Sequence, residues 1–461
     1  MPLTANGISY AWQQLIARAG LIDPNAVTLN YGDPAKAPDN RPVITIIPCA
    51  PDAASALLKR PAHSVDWIPN SETHLPYTQL PFQDPIPVPF WGKGCDTTQH
   101  PFAVRTSSQH IIFYADIIAA TLFMLTRWEE TVTPERDEHD RFPATASVAY
   151  KQGFLDRPIV DEYALILRAW LRVLLPSWQP QCGKFSIKVS HDIDHARRFR
   201  NLTNALRTCA HYLKHRLWQK AWNSLIQAMT ETIAPKSATY YQNIYTLARL
   251  AQTHQIDTTF YFMAASPGPM DNEYQITASH IQTCIQQLIE WQFNIGLHPS
   301  YQTFNDPIKL QQEKNRLDKT LPQPTTHARQ HYLRFDTPAI WQIYSATGLA
   351  HSSNMGYHDQ EGFRCGTCHS FTPFDWQEDR CLPLTEQPLI IMDKTLKNYR
   401  RLAAEQSLEL IQQYALRCQH MEGCFSLLWH NGHHDLNWLP QGLIYTQTLK
   451  YLSSLQTGSI P

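Results

Sequence analysis

Short apolar runs alternate with segments of helical periodicity over the second part of the chain. Segments such as Tyr241–Thr253 and Ala278–Trp291 repeat apolar residues at helical spacing, and the runs between such segments have the length of strands. The predicted strands are Phe185–Ser190, Thr258–Met263, Phe293–Leu297, His331–Phe335, His351–Asn354 (the weakest), Leu389–Met392 and Phe425–Trp429. Strands that alternate with helices pair in parallel. Seven of them favour a distorted seven-stranded (β/α) barrel of the α/β class, with an open doubly wound sheet as the alternative.

The first part of the chain has a different pattern. Apolar runs at Val43–Pro48 and Ile86–Trp91 lie between proline-rich loops and are predicted as strands, and helical patterns follow near residues 111–130 and 161–175. The stretch LLPSWQPQCGK at 174–184 breaks the helical period with two prolines and a glycine. The sequence therefore predicts a smaller mixed α/β domain over residues 1–180, followed by the barrel domain over residues 184–461.

Composition narrows the class of protein. With 39 basic and 40 acidic side chains in 461 residues, the chain has a formal charge of −1. It therefore lacks the excess of positive charge that a nucleic-acid-binding protein needs. The N-terminus does not match a secretory signal peptide, and the longest apolar stretch, Ile111–Leu125, is interrupted by Asp116 and too short to span a bilayer. Ten scattered cysteines are then expected to be reduced thiols, which predicts a cytoplasmic protein.

Ionisable residues stand at the ends of five of the predicted strands. In chain order they are Asp192 with Asp194, His298, Arg334, Asp393 and His430. Any one of them could be a capping or core residue, but together they favour a site, because the C-terminal strand ends of a parallel barrel form its active-site face. One aspartate could bind a divalent metal ion, with His298 as a further ligand, while the other acts as a base on a metal-bound water. His430 could protonate a leaving group, and Arg334 could hold the base ionised.

Four segments in order, VSHDIDH, NIGLHPSY, RQHYLRF and LLWHN, resemble motifs of the polysaccharide deacetylase superfamily (carbohydrate esterase family 4). The match is closer to a bacterial branch of that superfamily, whose further segments read GFRCGTC and MDKTL here. The resemblance covers about residues 184–461. Upstream, FYADIIAATLFMLTRWEE, DRF and LDRPIVDEY resemble an uncharacterised domain that often precedes such deacetylase domains.

The resemblance implies a role for each matching residue. Asp192 corresponds to the catalytic base, Asp194 to the metal-binding aspartate, and His298 to the first histidine of a His-x-x-x-His metal motif. Arg334 is similar to the arginine that orients the base, and His430 to the catalytic acid. The implied fold is a distorted (β/α) barrel, and the implied reaction removes an N-acetyl, sometimes an O-acetyl, group from a sugar with Zn²⁺ or a related ion such as Ni²⁺, Co²⁺ or Fe²⁺.

One position departs from the family pattern. Gln302 stands four residues after His298, where many relatives have the second metal-binding histidine, and glutamine is a poor zinc ligand. His195 and His331 are candidates to replace it, with Gln302 itself as a third. Alternatively, the site binds metal weakly or the domain has lost its activity.

Aromatic residues with an arginine accumulate between the fifth and sixth predicted strands. Tyr357, Phe363, Arg364, Phe371, Phe374 and Trp376 could form a sugar-stacking lid over the barrel mouth or a local core cluster. From this region we assign Arg364 and Trp376 to substrate binding, together with Tyr301 and Asp393. Glu129, Glu130, Asp140 and Arg141 are predicted to form surface or interdomain salt bridges without a chemical role.

Residues 195–230 contain no acidic residue and seven basic ones. Because leucines repeat there at helical spacing beside Trp218 and Trp222, residues 195–222 could contact an anionic membrane or an acidic glycan. The alternative is a solvated helix that packs its leucines on the barrel.

The sequence therefore predicts a cytoplasmic, metal-dependent deacetylase that acts on an acetylated saccharide of cell-surface polysaccharide metabolism and does not bind nucleic acid. The first alternative is a catalytically degenerate barrel that binds carbohydrate or serves as a scaffold. A glycoside hydrolase with paired carboxylates is weaker, because Asp192 and Asp194 are close in sequence and such carboxyls stand about 5 Å or more apart.

Overall fold

The computed structural model describes residues 1–36, 41–69, 80, 85–199, 202–268, 270–433 and 444–457. Its helices are α1 (Ala5–Ala19), α2 (Ala53–Leu58), α3 (Ile117–Thr126), α4 (Trp128–Val132), α5 (Val148–Lys151), α6 (Ile159–Leu174), α7 (Leu202–Lys214), α8 (Trp218–Ile233), α9 (Thr239–Thr253), α10 (Ser279–Glu290), α11 (Pro307–Asp318), α12 (Ala339–Ala346), α13 (Ala404–His420) and α14 (Ile444–Thr457). Its strands are β1 (Thr28–Tyr31), β2 (Val43–Ile46), β3 (Asp66–Ile68), β4 (Ile86–Val88), β5 (Ala103–Ser107), β6 (His110–Phe113), β7 (Ser186–Ile193), β8 (Asp257–Phe262), β9 (Asn294–Leu297), β10 (His327–Ala328), β11 (His351–Ser352), β12 (Phe374–Asp375), β13 (Arg380–Cys381), β14 (Thr385–Glu386), β15 (Ile391–Met392) and β16 (Cys424–Leu428).

The second part of the chain forms one parallel sheet in the order β14-β11-β10-β9-β8-β7-β16-β15. The strands at the two ends of this order, β14 and β15, are joined by residues 387–390 alone, which reach at most about 17 Å. The sheet must therefore curve strongly, as a partial barrel. It has eight strands rather than the predicted seven, because the two-residue strand β14 precedes the strand predicted at Leu389–Met392.

Most predicted strands of this sheet lie within a few residues of the observed ones, but one prediction is wrong. His331–Phe335 is not a strand, since β10 lies earlier and His331–Leu333 forms a 3₁₀ turn. The first strand is longer than predicted, because β7 continues through Asp192 to Ile193. The last five residues of β7 are all buried, as expected for an interior strand of a parallel sheet.

The first part of the chain forms a four-stranded mixed sheet in the order β1-β2-β6-β5, with the separate pair β3-β4. The helix predicted near 111–130 is in fact strand β6 followed by α3 and α4. Asp116 separates β6 from α3, because its carboxylate accepts a hydrogen bond from the N–H of Ala119 and caps the helix. Every residue of α3 is buried, so this apolar helix lies in the interior.

A single hydrophobic cluster contains buried residues from both sheets, for example Phe113 of β6 and Leu427 of β16. Polar contacts also join the two parts: Glu130 lies in a bidentate ion pair with Arg364, with N···O distances of 2.9 and 2.6 Å, and both side chains are buried. Glu129 and Glu130 are therefore interior residues rather than surface ones. The domain boundary near residues 174–184 stays a prediction.

None of the helices in the described ranges is long and apolar enough to cross a membrane.

Candidate active site

The C-terminal ends of three strands, β7, β9 and β16, bring ionisable side chains together. Asp192 lies near the end of β7 and Asp194 just after it, while His298 follows β9 and His430 follows β16. All four residues are buried. Their positions agree with the sequence expectation, because parallel strands place their C-terminal ends at one face of the sheet.

Asp194, His298 and His331 form a compact group of metal-type ligands. The Oδ1 atom of Asp194 lies 3.3 Å from Nε2 of His298 and 3.7 Å from Nε2 of His331, and one ligand atom from each residue lies within 4.8 Å of the others. Oδ1 of Asp194 is buried and has no hydrogen-bond partner among the described residues. A buried carboxylate oxygen beside two imidazole nitrogens matches the donor set that Zn²⁺ and similar ions prefer.

Hydrogen bonds outside this group orient both imidazoles. Nδ1 of His298 contacts the carbonyl of Arg329 at 2.5 Å, and Nδ1 of His331 contacts the Asp271 carboxylate at 3.0 Å. Such contacts place the proton on Nδ1 and leave the Nε2 lone pair for a metal ion. The residues therefore fit a divalent cation.

The three candidates for the third ligand lie in different places. His331 belongs to the group just described. His195 lines the same pocket, and its Nδ1 contacts the Glu273 carboxylate at 2.7 Å, but it is not part of the group whose ligand atoms lie within 4.8 Å of one another. Gln302 is exposed in a 3₁₀ turn at residues 301–303. The geometry therefore favours His331.

Asp192 lies beside this group and contacts an arginine that differs from the one expected. Its Oδ2 is 3.6 Å from Nε2 of His298, and its Oδ1 is 3.4 Å from Nη1 of Arg329. Arg329 is fully buried and is fixed by hydrogen bonds to Ser190 and Ser353. Its charge balances that of Asp192, so Arg329 makes the contact that was expected of Arg334.

Arg334 lies in another contact network. Its guanidinium pairs with Asp140 at 2.7 Å, donates hydrogen bonds to the carbonyls of His139 and Tyr301, and stacks over the Tyr301 ring at 3.9 Å from the centroid. The expected role of Arg334 as the residue that orients Asp192 is therefore not supported by its contacts. It instead ties the loop after α4 to the turn after β9.

The Asp393 carboxylate fixes the orientation of His430 through two contacts. Nδ1 of His430 lies 2.6 Å from Oδ1 of Asp393, and the backbone N–H of His430 donates to Oδ2 of the same carboxylate at 2.9 Å. Nε2 of His430 lies 3.7 Å from Oδ2 of Asp194, so it faces the ligand group. Asp393, which was assigned to substrate binding, orients His430 in this structure.

Lys394 was missed by the sequence analysis although it directly follows Asp393. Its Nζ lies 2.8 Å from Oδ2 of Asp194. Burial opposes ionisation of Asp194, but Lys394 and the nearby histidines outweigh burial and hold the pKa of this carboxyl well below its usual value. Burial lowers the pKa of a histidine, but in His298 the neighbouring carboxylates of Asp192 and Asp194 outweigh it and raise the pKa. In His331 burial prevails and lowers the pKa to about 4.

A pocket of about 250 Å³ opens over these residues. Its lining includes Asp192, Asp194, His298, His331, Lys394 and His430, together with His195, Met270, Tyr332, His358, Met392, Tyr399 and Arg141, a residue predicted to have no chemical role. Nη1 of Arg141 donates to the Tyr332 carbonyl at 3.0 Å. Arg141 comes from the first part of the chain, so both parts contribute to the pocket.

The other residues assigned to substrate binding are not among those that line this pocket. Arg364 is buried against Glu130, and Trp376 is half-buried against the main core. Phe363, Phe371 and Phe374 are buried in the same core, so the aromatic segment is a core cluster rather than a lid. The hydroxyl of Tyr301 lies 3.2 Å from Nδ1 of His139, beside the Arg334 network.

Comparisons with known proteins cover different parts of the chain. Residues 59–176 match the model of a family of unknown function (DUF7033). A solved structure from Mycobacterium smegmatis, whose own assignment as a polysaccharide deacetylase is provisional, is similar at 11% identity with a TM-score of 0.38. The likeness covers 60% of this chain and 86% of the other. No curated protein matches the sequence.

Proposed function

We propose that this protein is a metal-dependent hydrolase that removes an acetyl group, chiefly N-acetyl, from a sugar in cell-surface polysaccharide or glycan metabolism. The observation that carries the proposal is the convergence of Asp194, His298 and His331 between Asp192 on one side and His430 on the other. The motif resemblance of residues 184–461 supports the choice of acetylated sugar as substrate. The proposed setting is the cytoplasm.

Each residue has a defined part in this mechanism. A divalent ion, Zn²⁺ or a related N/O-binding ion, held by Asp194, His298 and His331 would supply Lewis acidity at the acetyl carbonyl. Asp192, which Arg329 fixes in place, accepts a proton from the attacking water. His430, whose Nδ1 is held by Asp393, donates a proton from Nε2 to the departing amine.

The competing proposal is a degenerate barrel that binds carbohydrate without turnover, and it rests on Gln302. The position of His331 weakens it, because His331 provides the third nitrogen or oxygen donor that Gln302 does not. Metal content distinguishes the two proposals: elemental analysis of the purified protein is expected to give about one zinc, nickel, cobalt or iron per chain.

Acetate release tests the function directly. Metal-loaded protein is incubated with N-acetylated oligosaccharides, and Asp192→Asn and His430→Gln are each expected to lower the rate by about 10²–10⁴-fold, the usual contribution of a general acid or base. Asp257→Asn and His420→Gln are matched controls, because both side chains are exposed and away from the pocket. Near-wild-type turnover in either test variant contradicts the mechanism, and absence of acetate release from any acetylated sugar by metal-loaded protein contradicts the function.

A further inference from the structure

Two helices that follow β7 form a hairpin with an unusual distribution of apolar residues. Helices α7 and α8 are separated by residues 215–217 and pack against each other; we call residues 202–233 the α7–α8 hairpin. The segment that leads into it leaves the candidate site at His195, which lines the pocket, and the backbone N–H groups of Ala196 and Arg197 donate to the Glu273 carboxylate. The N–H of Arg198 is held in turn by Glu231 of α8.

The large apolar side chains of α8 face solvent, while small ones face the protein. Trp218, Trp222, Ile226, Met229 and Ile233 follow each other at intervals of four, four, three and four residues, so they share one face of the helix. Their exposure ranges from 46% for Ile226 to 82% for Ile233. The buried positions of α8 are Ala221, Ser224, Ala228 and Glu231. This is the reverse of a helix that packs its apolar face on a core.

Helix α7 and the turn after it repeat the arrangement. Leu202, Leu206, Leu213 and Leu217 are exposed at intervals of four, seven and four residues, whereas Ala205 and Cys209 are buried. The hairpin packs through a small cluster of its own, formed by Phe199, Ala205 and Ala228, which is separate from the main core. Nine large apolar side chains are therefore exposed on the hairpin, five on α8 and four on α7 and the turn after it; we call them the patch. Exposed apolar surface of this kind marks interaction sites.

The positive charge of the segment that carries the patch indicates a partner with negative charge. Residues 195–230 carry seven basic and no acidic residues, although the whole chain has a formal charge of −1. Of these, Arg207, Lys214, Arg216 and Lys220 are exposed within or between the two helices. Tryptophan beside lysine and arginine is the composition of helices that lie in the interface of an anionic bilayer, where the rings enter the headgroup region and the cations meet lipid phosphates.

We propose that the α7–α8 hairpin docks this protein on the surface of an anionic phospholipid bilayer, with Trp218 and Trp222 inserted at headgroup depth. The contact is peripheral, with both helices lying along the membrane plane. The contact lies close in the chain to the candidate site, because the hairpin begins eight residues after Asp194. The proposal rests on the hairpin alone and holds whether or not the site removes acetyl groups.

Vesicle flotation tests the apolar part of the contact. The full-length protein is mixed with vesicles of 70% phosphatidylcholine and 30% phosphatidylglycerol, and it is expected to float with them. Trp218→Ser combined with Trp222→Ser is expected to lower the bound fraction at least about tenfold. Ile308→Ser is the matched control, because Ile308 is 70% exposed on α11, outside the hairpin, and its replacement should leave binding unchanged.

The electrostatic part is tested by a second pair of variants. Lys214→Glu combined with Lys220→Glu should abolish flotation with the anionic vesicles, whereas Lys319→Glu, an exposed lysine at the end of α11, should not. The wild type is expected to bind pure phosphatidylcholine vesicles at least about tenfold less, and to lose binding to anionic vesicles as salt is raised.

Two results would overturn the proposal. The first is a wild-type protein that does not float with anionic vesicles at low salt. The second is a tryptophan double variant that floats as well as the wild type. Light scattering adds a third readout: a wild-type dimer that the tryptophan double variant converts to a monomer, without vesicle binding in either, would assign the patch to a second copy of the chain instead.

Discussion

His331 lies in a 3₁₀ turn, and its backbone N–H donates to the carbonyl of Pro299, the residue after His298. This bond holds the two imidazoles edge to face with centroids 5.0 Å apart. The sequence placed His298 and His430 correctly because each directly follows an apolar strand. It wrongly predicted a strand at His331–Phe335, since HYLRF has the composition of a strand. Arg329 was missed for the same reason. It directly follows the true strand β10, and ionisable residues at strand ends were the ones taken as site candidates.

The assignment of His331 as the third ligand predicts a difference between two histidines. His331→Gln should lower the affinity for Zn²⁺ at least about tenfold, because it removes a nitrogen donor beside Asp194. His195→Gln should change that affinity less than about twofold, because His195 lies outside the group of ligand atoms. Titration against a chelating indicator measures both. Equal losses in the two variants, with unchanged melting temperatures, would contradict the assignment.

At the scale of elements, short α4 carries two buried acids that the sequence analysis placed in salt bridges. The guanidinium groups of Arg127 and Arg364 converge on Glu130, and Arg127 also contacts Glu129. The sequence could not show that these charges lie inside the protein, because Arg364, the partner of Glu130, is more than 200 residues away. The same limit applies to β6, since a short apolar run beside a helix can be either element until its partner strands are known.

The Glu130 cluster predicts a loss of stability in acid. Burial opposes ionisation of Glu130, but Arg364 and Arg127 outweigh it and lower its pKa from 4.5 to about 2. A carboxyl whose pKa is depressed on folding stabilises the folded state above pH 4.5, and that contribution is lost as pH falls towards 2. The loss is about 3 kcal/mol in the free energy of unfolding.

Urea unfolding at a series of pH values measures this loss. Glu130→Gln should unfold with a shallower pH dependence over the same range, because it lacks the titrating group, whereas exposed Glu405→Gln should keep the wild-type slope. Equal slopes in wild type and Glu130→Gln would show that the cluster does not titrate as expected.

At the scale of the whole molecule, the two sheets depend on each other. One hydrophobic cluster spans both, and the ion pairs Glu130–Arg364, Arg168–Glu422 and Arg417–Asp156 join the first part of the chain to the second. The hydroxyl of Tyr10 in α1 also donates to the Thr372 carbonyl at 2.8 Å. The change of sequence pattern near residue 184 coincides with the start of the second sheet at β7, but a local pattern carries no information on how two sheets pack.

The shared core predicts that residues 184–461 are unstable alone. Without the first part, the apolar residues around Cys365 and Phe374 would be exposed, and Arg364 would be left without its carboxylate. The isolated fragment is expected to lack a cooperative melting transition, and co-expression with residues 1–180 is expected to restore it. A fragment that melts cooperatively at the full-length Tm would instead establish two independent domains.

The order of strands in the large sheet has a consequence for biosynthesis. Strand β16 lies between β7 and β15 in the sheet. One edge of β7 therefore stays unpaired until β16 is synthesised, roughly 240 residues later. At ribosomal rates of about 5–20 residues per second, this interval is roughly 10 to 50 seconds. During it, the strand that carries Asp192 has an open edge, and open edges are prone to pairing with other chains. The nascent chain is thus expected to need chaperone protection until β16 emerges, and the residues of the candidate site can meet only at the end of synthesis.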